Sequence, residues 1–268
     1  MTEQAAIFQS IVEQRRSMRI YDASAPFDTE AVKRSIERAA LAPNSSNMQM
    51  WEFYHIREAK TIADIAVFCM SQNAAKTARE LVIIAVPKAK YKARAQANFQ
   101  FHHARYGGVP VSQLDRRSQR KLRYFSHLMR LYYFQDWFGI SGYIRKCIVG
   151  ISSLWRPVVW QVSKQDLRVV CHKSAALAAQ TFMLSMTAEG YATCPMEGFD
   201  SKKLRKYLGL PRSTEFNMII SCGPGTKEGI YHERFRVPLE EIYFVRRAVS
   251  SCYEVNICAA QRRKDSTS

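Results

Sequence analysis

The sequence has few acidic residues for its length, because 23 Asp and Glu stand against 40 Lys and Arg and leave a formal net charge of +17. No apolar run approaches the ~18 residues that a membrane-spanning helix needs. Repeats are also missing, and nine prolines and eleven glycines are too few and too scattered for a fibrous or linker-rich chain. A hydrophobic content of 47% is instead typical of a folded protein.

The seven cysteines contain no C-x-x-C pair and no histidine partner at metal-ligand spacing. An odd, unpatterned set argues against a disulfide framework and against a structural zinc site, so we predict free thiols and no metal. The first nine residues include Glu3 and precede no long apolar run, which is unlike a signal peptide. We therefore expect a cytoplasmic location.

The excess of basic charge admits three kinds of partner: nucleic acid, an anionic membrane surface, or anionic small molecules such as phosphorylated cofactors. The sequence contains no zinc finger, no aromatic RNA-recognition motif and no obvious helix-turn-helix. We predict no nucleic-acid partner, although the charge alone does not decide between the three.

Apolar periodicity and turn residues predict several helices separated by a few strands, which makes α+β the fold class. The predicted helices cover about 6–16, 28–42, 59–68, 173–189 and 200–209, and the predicted strands cover 51–56, 81–86, 215–222 and 242–245.

A basic and aromatic segment separates the two halves of this pattern. Residues 88–146 hold thirteen Lys or Arg against two Asp, a net charge of +11, and five aromatics occupy seven positions at 132–138. Apolar residues at helical intervals predict an amphipathic helix over 120–132. The favoured interpretation is a helical subdomain that packs on the core or on a partner subunit, and the alternative is a helix on an anionic membrane surface.

The first segment with candidate chemistry is R-R-S-M-R, which contains Arg15, Arg16, Ser17 and Arg19. Guanidinium groups and a hydroxyl just after a helix suit a phosphate dianion, since Arg binds phosphate through paired hydrogen bonds. A basic cluster at a helix C-terminus also complements the helix dipole, and for this segment alone that alternative stays open.

The second segment is A-P-N-S-S-N-M-Q-M-W-E-F at 42–53, with Asn44, Ser45, Asn47 and Gln49 as candidate ligand-binding residues. Amide side chains donate and accept hydrogen bonds at once, as the edge of a heterocycle requires. The alternative is a polar loop between a helix and a strand.

The third segment is T-C-P-M-E-G-F-D at 193–200, which we predict to be a loop; its candidate residues are Pro195, Met196, Glu197 and Gly198. Glycine lets a backbone approach a ligand closely. A helix-capping role with Asp200 as the N-cap is compatible with this function.

The fourth segment is G-P-G at 223–225 followed by R-F-R-V-P-L-E-E, in which Arg234 and Arg236 would point to the same side of an extended chain. A fainter candidate is Q-N-A-A-K-T-A, with Gln72 and Lys76 as its polar residues. The glycine turn lacks the Lys-Ser/Thr end of a phosphate-binding P-loop.

In this order, the segments resemble the nitroreductase family, over about residues 10–90 and 170–245. Asn44 and Met50 depart from the Ser and Pro usual in that family. The resemblance implies a mostly antiparallel central sheet flanked by helices, in a domain-exchanged homodimer. We predict one domain over 1–268, with a basic aromatic helical insertion at about 92–168 and a C-terminal extension at about 246–268.

The resemblance also implies the chemistry: FMN as cofactor, NADPH or NADH as hydride donor, and ping-pong reduction of nitroaromatics, quinones or related electrophiles. Arg15, Arg16, Ser17 and Arg19 would bind the phosphate together with Arg234 and Arg236. The remaining candidates would surround the ring: Asn44, Ser45, Asn47, Gln49, Gln72, Lys76, Pro195 and Met196. The backbone of Glu197 and Gly198 would face flavin N5 and act in catalysis.

In the family, inserted helices lie over the flavin and help to select the acceptor. The resemblance would give that role to four aromatic residues, Tyr132, Tyr133, Trp137 and Phe138. It leaves other functions open, namely flavin sequestration, flavin fragmentation, dehalogenation, or a membrane-surface protein of the same fold without a reductase role.

Overall fold

A computed structural model describes residues 1–134 and 139–246. It divides into two compact units, residues 1–231 and residues 232–268. In the described part of the second unit, the regular element is a 3-10 turn at Leu239–Glu241. The predicted strand at 242–245 is wrong, because these residues form no β-ladder.

The first unit contains helices and four strands, as the α+β prediction requires. The helices are α1 (Glu3–Gln14), α2 (Thr29–Ala39), α3 (Ala59–Phe68), α4 (Asn73–Lys76), α5 (Tyr91–Ala104), α6 (Arg116–Arg123), α7 (Met129–Tyr133), α8 (Ile140–Ser152), α9 (Lys164–Ala188) and α10 (Ser201–Tyr207). The strands are β1 (Glu52–Ile56), β2 (Glu80–Pro87), β3 (Ala192–Met196) and β4 (Thr214–Gly223).

The strands form one antiparallel sheet in the order β1-β2-β4-β3. Strand β2 is buried along its whole length, because both of its faces are covered. Val82, Ile84 and Val86 face one core, which includes α9, while Leu81 and Ile83 face a second core, which includes α3. This alternation follows from the two-residue period of a strand.

The pairing of β2 with β4 contains a β-bulge. Ile84 pairs with Met218 but the next residue, Ala85, pairs with Phe216, so Asn217 is the extra residue on β4. A bulge of this kind changes which face the following side chains occupy.

The largest differences from the predictions concern α9 and β3, whereas other elements differ by a few residues at their ends. Helix α9 begins at Lys164 rather than near 173, because Ser163 and Asp166 form a capping box at its N-terminus. Residues 192–196 form strand β3 rather than a loop. Pro195 is tolerated there because β3 is the outermost strand of the sheet, where a missing N–H costs no ladder hydrogen bond.

The described parts of the basic aromatic segment, 88–134 and 139–146, are mostly helical. Leu122, Phe125 and Met129 are buried, and the last two join the same core as α9. Core packing is therefore confirmed for this face of the predicted amphipathic helix. Part of it, Tyr124–Leu128, is wound as a π-helix between α6 and α7.

The five cysteines in the described parts of the chain are free thiols, as predicted. Cys252 and Cys258 lie outside the described residues, as do Trp137 and Phe138. Among the residues described, no helix combines the length and the apolar character needed to cross a membrane.

Candidate functional site

The R-R-S-M-R segment leaves α1 and runs beside strand β3. Ser17 forms a parallel bridge with Thr193, and the backbone N–H of Met18 donates to the carbonyl oxygen of Thr193 at 3.0 Å. On its other side, the N–H of Arg19 donates to the carbonyl oxygen of Gly229 at 2.8 Å. Backbone hydrogen bonds on both sides thus fix the path of the segment.

Two glycines make room for this segment. A Cβ atom on Gly225 would lie 2.3 Å from Met18 Cε, and a Cβ on Gly229 would lie 2.2 Å from Met18 Sδ and 2.6 Å from the carbonyl oxygen of Ile20. Gly225 of the predicted glycine turn and Gly229 beyond it therefore leave the space that the Met18 side chain occupies.

Tyr21 anchors the end of the segment in the protein interior. Its hydroxyl donates to the carbonyl oxygen of Ser221 at 2.9 Å and lies 2.8 Å from Ser221 Oγ. Burial raises the pKa of Tyr21 well above its ordinary value, so it stays a neutral donor. This anchor cannot be identified from the sequence alone, because a lone tyrosine after a basic motif has no distinguishing pattern.

The structure brings two of the predicted phosphate ligands near the same point of β3. Burial raises the pKa of the Cys194 thiol, and the positive charges of Arg19 and Arg15 oppose that rise. Both arginines are therefore close enough to act on Cys194 by Coulomb interaction. Arg15, Arg16, Ser17 and Arg19 are all partly exposed, so their side chains are accessible to a ligand.

The end of β3 leads into the loop that contains Glu197 and Gly198, both of which are exposed, whereas Met196 is buried. The carbonyl oxygen of Gly198 accepts a 2.9 Å hydrogen bond from Gln72 Nε2, and the carbonyl oxygen of Glu197 accepts from the N–H of Phe199 at 3.1 Å. The structure therefore brings Gln72 and Gly198 together, although 126 positions separate them.

Beyond Gly198 the loop enters α10 with Asp200 as its N-cap, as predicted. The Asp200 carboxylate accepts from the N–H groups of Lys202 and Lys203 at 3.0 Å each. These hydrogen bonds lower the pKa of Asp200. Lys76 is exposed at the end of α4, one turn beyond Gln72.

The second polar loop, at 44–49, is held by its own side chains. Asn44 Oδ1 accepts from the backbone N–H of Gln49 at 2.7 Å, and Gln49 Nε2 donates to Asn47 Oδ1 at 3.3 Å. Ser46, Asn47 and Gln49 have φ of 53°, 52° and 47°, which is costly for residues other than glycine. Backbone strain of this kind is common at ligand-binding sites. The hydrogen bond to Asn44 helps to keep Gln49 in this conformation.

Two residues of the predicted insertion form hydrogen bonds with this loop, and neither was among the candidate residues. Asn98 on α5 is buried; its Oδ1 accepts from Asn47 Nδ2 at 3.0 Å and its Nδ2 donates to the Asn47 carbonyl at 2.8 Å. The Tyr124 hydroxyl lies 2.6 Å from Ser46 Oγ. Only the fold reveals these contacts, because an asparagine within a basic helix looks solvated from sequence.

The loop at 44–49 and the loop at Gly198 lie at the same end of the sheet but at opposite edges. Glu52, the first residue of β1, pairs with Ala85 and through it with Phe216, while Met196, the last residue of β3, pairs with Ile219. Three inter-strand spacings separate β1 from β3, about 14 Å. One chain therefore does not bring the two loops into contact across the sheet.

A cavity of about 510 Å³ opens beside Ser45 and Ser46. Its other lining residues are mostly apolar and come from the predicted insertion, among them Tyr124, Leu128, Tyr132 and Ile148. This composition, an apolar pocket with a few hydroxyl groups, suits an aromatic or apolar ligand. Tyr133 is instead buried in the core.

Arg234 and Arg236 belong to the second unit, residues 232–268. Both are on an irregular stretch of chain before the 3-10 turn at Leu239–Glu241. Their participation in a phosphate site stays a prediction.

Comparison with a family of known proteins covers the first three candidate segments but not Arg234 and Arg236. The family model described as "Nitroreductase family" matches residues 12–126 and 154–224. MhqN of Bacillus subtilis (strain 168), named as a candidate NAD(P)H nitroreductase, is 22% identical over 236 residues, covering 88% of this chain and 97% of its own length.

Solved structures show the same fold at low identity. The candidate nitroreductase ydfN from Bacillus subtilis superposes with a TM-score of 0.66 at 21% identity, over 90% of this chain and 100% of that chain. A candidate nitroreductase from Exiguobacterium sibiricum 255-15, solved in complex with FMN, gives a TM-score of 0.63 at 20% identity, over 89% of this chain and 97% of that chain.

Proposed function

Because this chain belongs to the nitroreductase family, we propose that it is an FMN-dependent oxidoreductase that takes hydride from NAD(P)H and passes it to an electrophilic acceptor. The observation that carries the proposal is the position of β3. The arginine segment pairs with Thr193 at the start of this strand, and Gly198 follows its end.

The donor set fits the cofactor. Arg15 and Arg19, with Arg16 and Ser17, would bind the phosphate, because their partly exposed side chains concentrate positive charge beside β3. The five-residue step from Thr193 to Gly198 spans at most about 17 Å of extended chain, enough for a ribityl chain and a tricyclic ring.

FMN, when bound, supplies the hydride-accepting chemistry, and the chain supplies position and polarity. The carbonyl groups of Glu197 and Gly198 are engaged within the protein. We propose that the N–H groups of the same two residues face N5, where a fixed donor stabilises the charge that develops on reduction. Lys76 and Gln72 would approach the pyrimidine end of the ring.

We infer that the working form is a homodimer. Strands β1 and β3 are about 14 Å apart within one chain, so we propose that Asn44, Ser45, Asn47 and Gln49 of one subunit complete the site at β3 of its partner. A dimer would also cover α1, which buries none of its residues within this chain and exposes Ile7 and Phe8. Free thiols in the described part of the chain support a cytoplasmic enzyme.

The cavity beside Ser45 and Ser46 is the proposed acceptor pocket. Its apolar lining favours a nitroaromatic, a quinone or a related electrophile, and Tyr132 is its candidate stacking residue. Donor and acceptor would use the same pocket in turn, which gives ping-pong kinetics.

An anaerobic visible spectrum of the purified protein tests the function. We expect flavin colour that NADPH bleaches and a quinone restores. Colour that NADPH leaves unchanged would indicate flavin sequestration and overturn the reductase proposal. The protein's mass in solution tests the dimer separately.

A binding comparison tests the phosphate site independently of turnover. Arg19→Gln is expected to raise the Kd for FMN at least tenfold and leave the Kd for riboflavin, which has no phosphate, within about twofold. Arg212→Gln is the matched control, because Arg212 is exposed and lies two residues before β4 begins. Equal losses for FMN and riboflavin would contradict a phosphate contact.

A further inference from the structure

Helix α8 carries an exposed apolar stripe. Tyr143, Ile144 and Ile151 recur at helical spacing with Ile140 and Ile148, and each exposes more than half of its side chain. The stripe continues past the helix end with four more exposed residues, Leu154, Trp155, Val159 and Trp160. All nine lie between 52% and 75% exposed. So large an apolar patch on a folded chain marks an interaction surface.

A basic cavity lies next to this stripe. It measures about 890 Å³ and its inner surface is mainly apolar; Lys92, Arg120, Arg123 and Arg130 are the basic residues along it, and we name it the basic cavity after them. Its apolar lining includes Leu131 and Phe134, which are also exposed.

Shared residues join these features into one surface. Tyr124 and Leu128 line both the basic cavity and the smaller cavity at Ser45, and the smaller cavity is also lined by Ile148 and Val159 of the stripe. We name the combined area, the stripe over 140–160 and the basic cavity, the α8 face.

Basic residues outnumber acidic ones around the α8 face, although Asp166 at the start of α9 lies close enough to Lys146 to interact with it. Asp115 and Asp136 are the acidic residues in the sequence between 88 and 164. Asp115 is occupied as the N-cap of α6, where it accepts from the N–H groups of Arg117 and Ser118. A second copy of this chain would bring the same positive charge to the face, so like charges would oppose its docking.

We propose that the α8 face binds the surface of an anionic lipid bilayer. The apolar stripe enters the boundary between headgroups and acyl chains, and the arginines of the basic cavity bind lipid phosphates. Trp155 and Trp160 occupy the headgroup level, which tryptophan prefers. The attachment is peripheral, and it places the opening of the smaller cavity at the bilayer, where apolar acceptors dissolve.

This surface differs from the helix that the sequence suggested for a membrane. Leu122, Phe125 and Met129 of that helix are buried, so α8 and the residues after it supply the apolar stripe of the proposed surface. The predicted helix contributes its basic residues, Arg120, Arg123 and Arg130. The proposal stands apart from the reductase activity, since binding does not require turnover.

The test is co-sedimentation of the full-length protein with vesicles. We expect binding to phosphatidylcholine vesicles that contain about a third phosphatidylglycerol, weak binding to pure phosphatidylcholine, and release by salt. Ile144→Ser/Ile151→Ser and Arg120→Glu/Arg123→Glu are each expected to weaken binding at least tenfold. Leu41→Ser/Val67→Ser, at two exposed apolar residues outside 88–164, should bind like the wild type.

Brominated lipids provide a second readout. Quenching of tryptophan fluorescence should fall sharply in Trp155→Phe/Trp160→Phe. Binding that is equal in all variants, or absent from anionic vesicles, would overturn the proposal. So would a loss of dimer mass in Ile144→Ser/Ile151→Ser without an effect on vesicles, since the face would then be a contact between subunits. Reduction of a water-soluble quinone, measured in parallel, reports on the proposed function alone.

Discussion

Gln72 and Gly198 meet through a 2.9 Å hydrogen bond from the Gln72 amide to the Gly198 carbonyl oxygen. This contact ties the turn before α4 to the loop after β3. It fixes the peptide group that follows Gly198, next to the Gly198 N–H that we propose to face the flavin. Its loss should therefore be visible in flavin binding before it is visible in stability.

We expect Gln72→Ala to raise the Kd for FMN about three- to tenfold, the range for one hydrogen bond of about 0.5–1.5 kcal/mol. Fluorescence titration of the flavin-free protein measures it. Gln165→Ala, at an exposed glutamine near the start of α9, is the matched control. An unchanged Kd in Gln72→Ala would show that the contact does not support the site.

Gly229 is more sensitive to substitution than other glycines of the chain. A Cβ there would meet the Ile20 backbone oxygen at 2.6 Å as well as Met18, so the arginine segment would have to move. We expect Gly229→Ala to cost about 1–3 kcal/mol of unfolding free energy and to weaken FMN binding.

Two other glycine substitutions provide the comparison for Gly229→Ala. Gly225→Ala meets mainly the flexible end of Met18 and should cost less, whereas Gly150→Ala on α8 meets nothing within 4 Å and should be neutral or stabilising. Thermal unfolding of the three variants gives the order. Equal melting temperatures for Gly229→Ala and Gly150→Ala would contradict the packing described here.

Asn98 serves the loop at 44–49 as both donor and acceptor. Its Nδ2 donates to the carbonyl oxygens of Asn47 and Arg94, and its Oδ1 accepts from Asn47 Nδ2. Asn98→Asp keeps the shape of the side chain but places a carboxylate oxygen against two carbonyl oxygens. We therefore expect the free energy of unfolding to fall by about 2–3 kcal/mol, more than for Asn98→Ala. Urea unfolding measures both, and an aspartate variant as stable as the wild type would disprove the assignment.

Glu215 should make stability depend on pH. Burial raises the pKa of this carboxyl, but hydrogen bonds from His172 and Lys88 outweigh burial and lower the pKa to about 2. Because its pKa is lower in the folded protein than its ordinary value near 4.5, the stabilisation is complete above pH 4.5 and is lost as the pH falls towards 2.

Glu215→Gln isolates that contribution. The difference in unfolding free energy between wild type and variant should be on the order of 2 kcal/mol at pH 6, after allowance for partial exposure, and should shrink between pH 4.5 and 2. Urea unfolding across this range measures it. Glu58→Gln, at an exposed glutamate before α3, is the control. A difference that is constant with pH would contradict the ion-pair role.

Sequence patterns located the polar segments and most elements because those features are local. The strand at 80–87 is a continuous apolar run, and Asp28 and Asp200 are helix caps that the sequence displays directly. Strand β3 was missed because Pro195 suggests a loop unless the strand is known to lie at an edge. That property depends on the order of strands, which no local pattern contains.

Two residues at the candidate site also lack a local sequence signal. Asn98 and Tyr124 reach the loop at 44–49 from a helical segment without a recognisable motif, so only tertiary packing identifies them. The apolar stripe of α8 was not predicted. The exposure of its residues depends on what packs against them, which no local pattern contains.

The extra residue of the β-bulge, Asn217, determines which face of the sheet the side chains at the start of β4 occupy. Phe216 shares a core with Ile219, whereas Met218 and Ile220 face the other one, so odd and even positions exchange roles at the bulge. Without that exchange, Phe216 would point at α9 and Glu215 would point away from His172. The extra residue thus keeps the Glu215 carboxylate on the side of the sheet where Lys88 and His172 lie. Deleting Asn217 would move the side chains before it to the opposite face of the sheet.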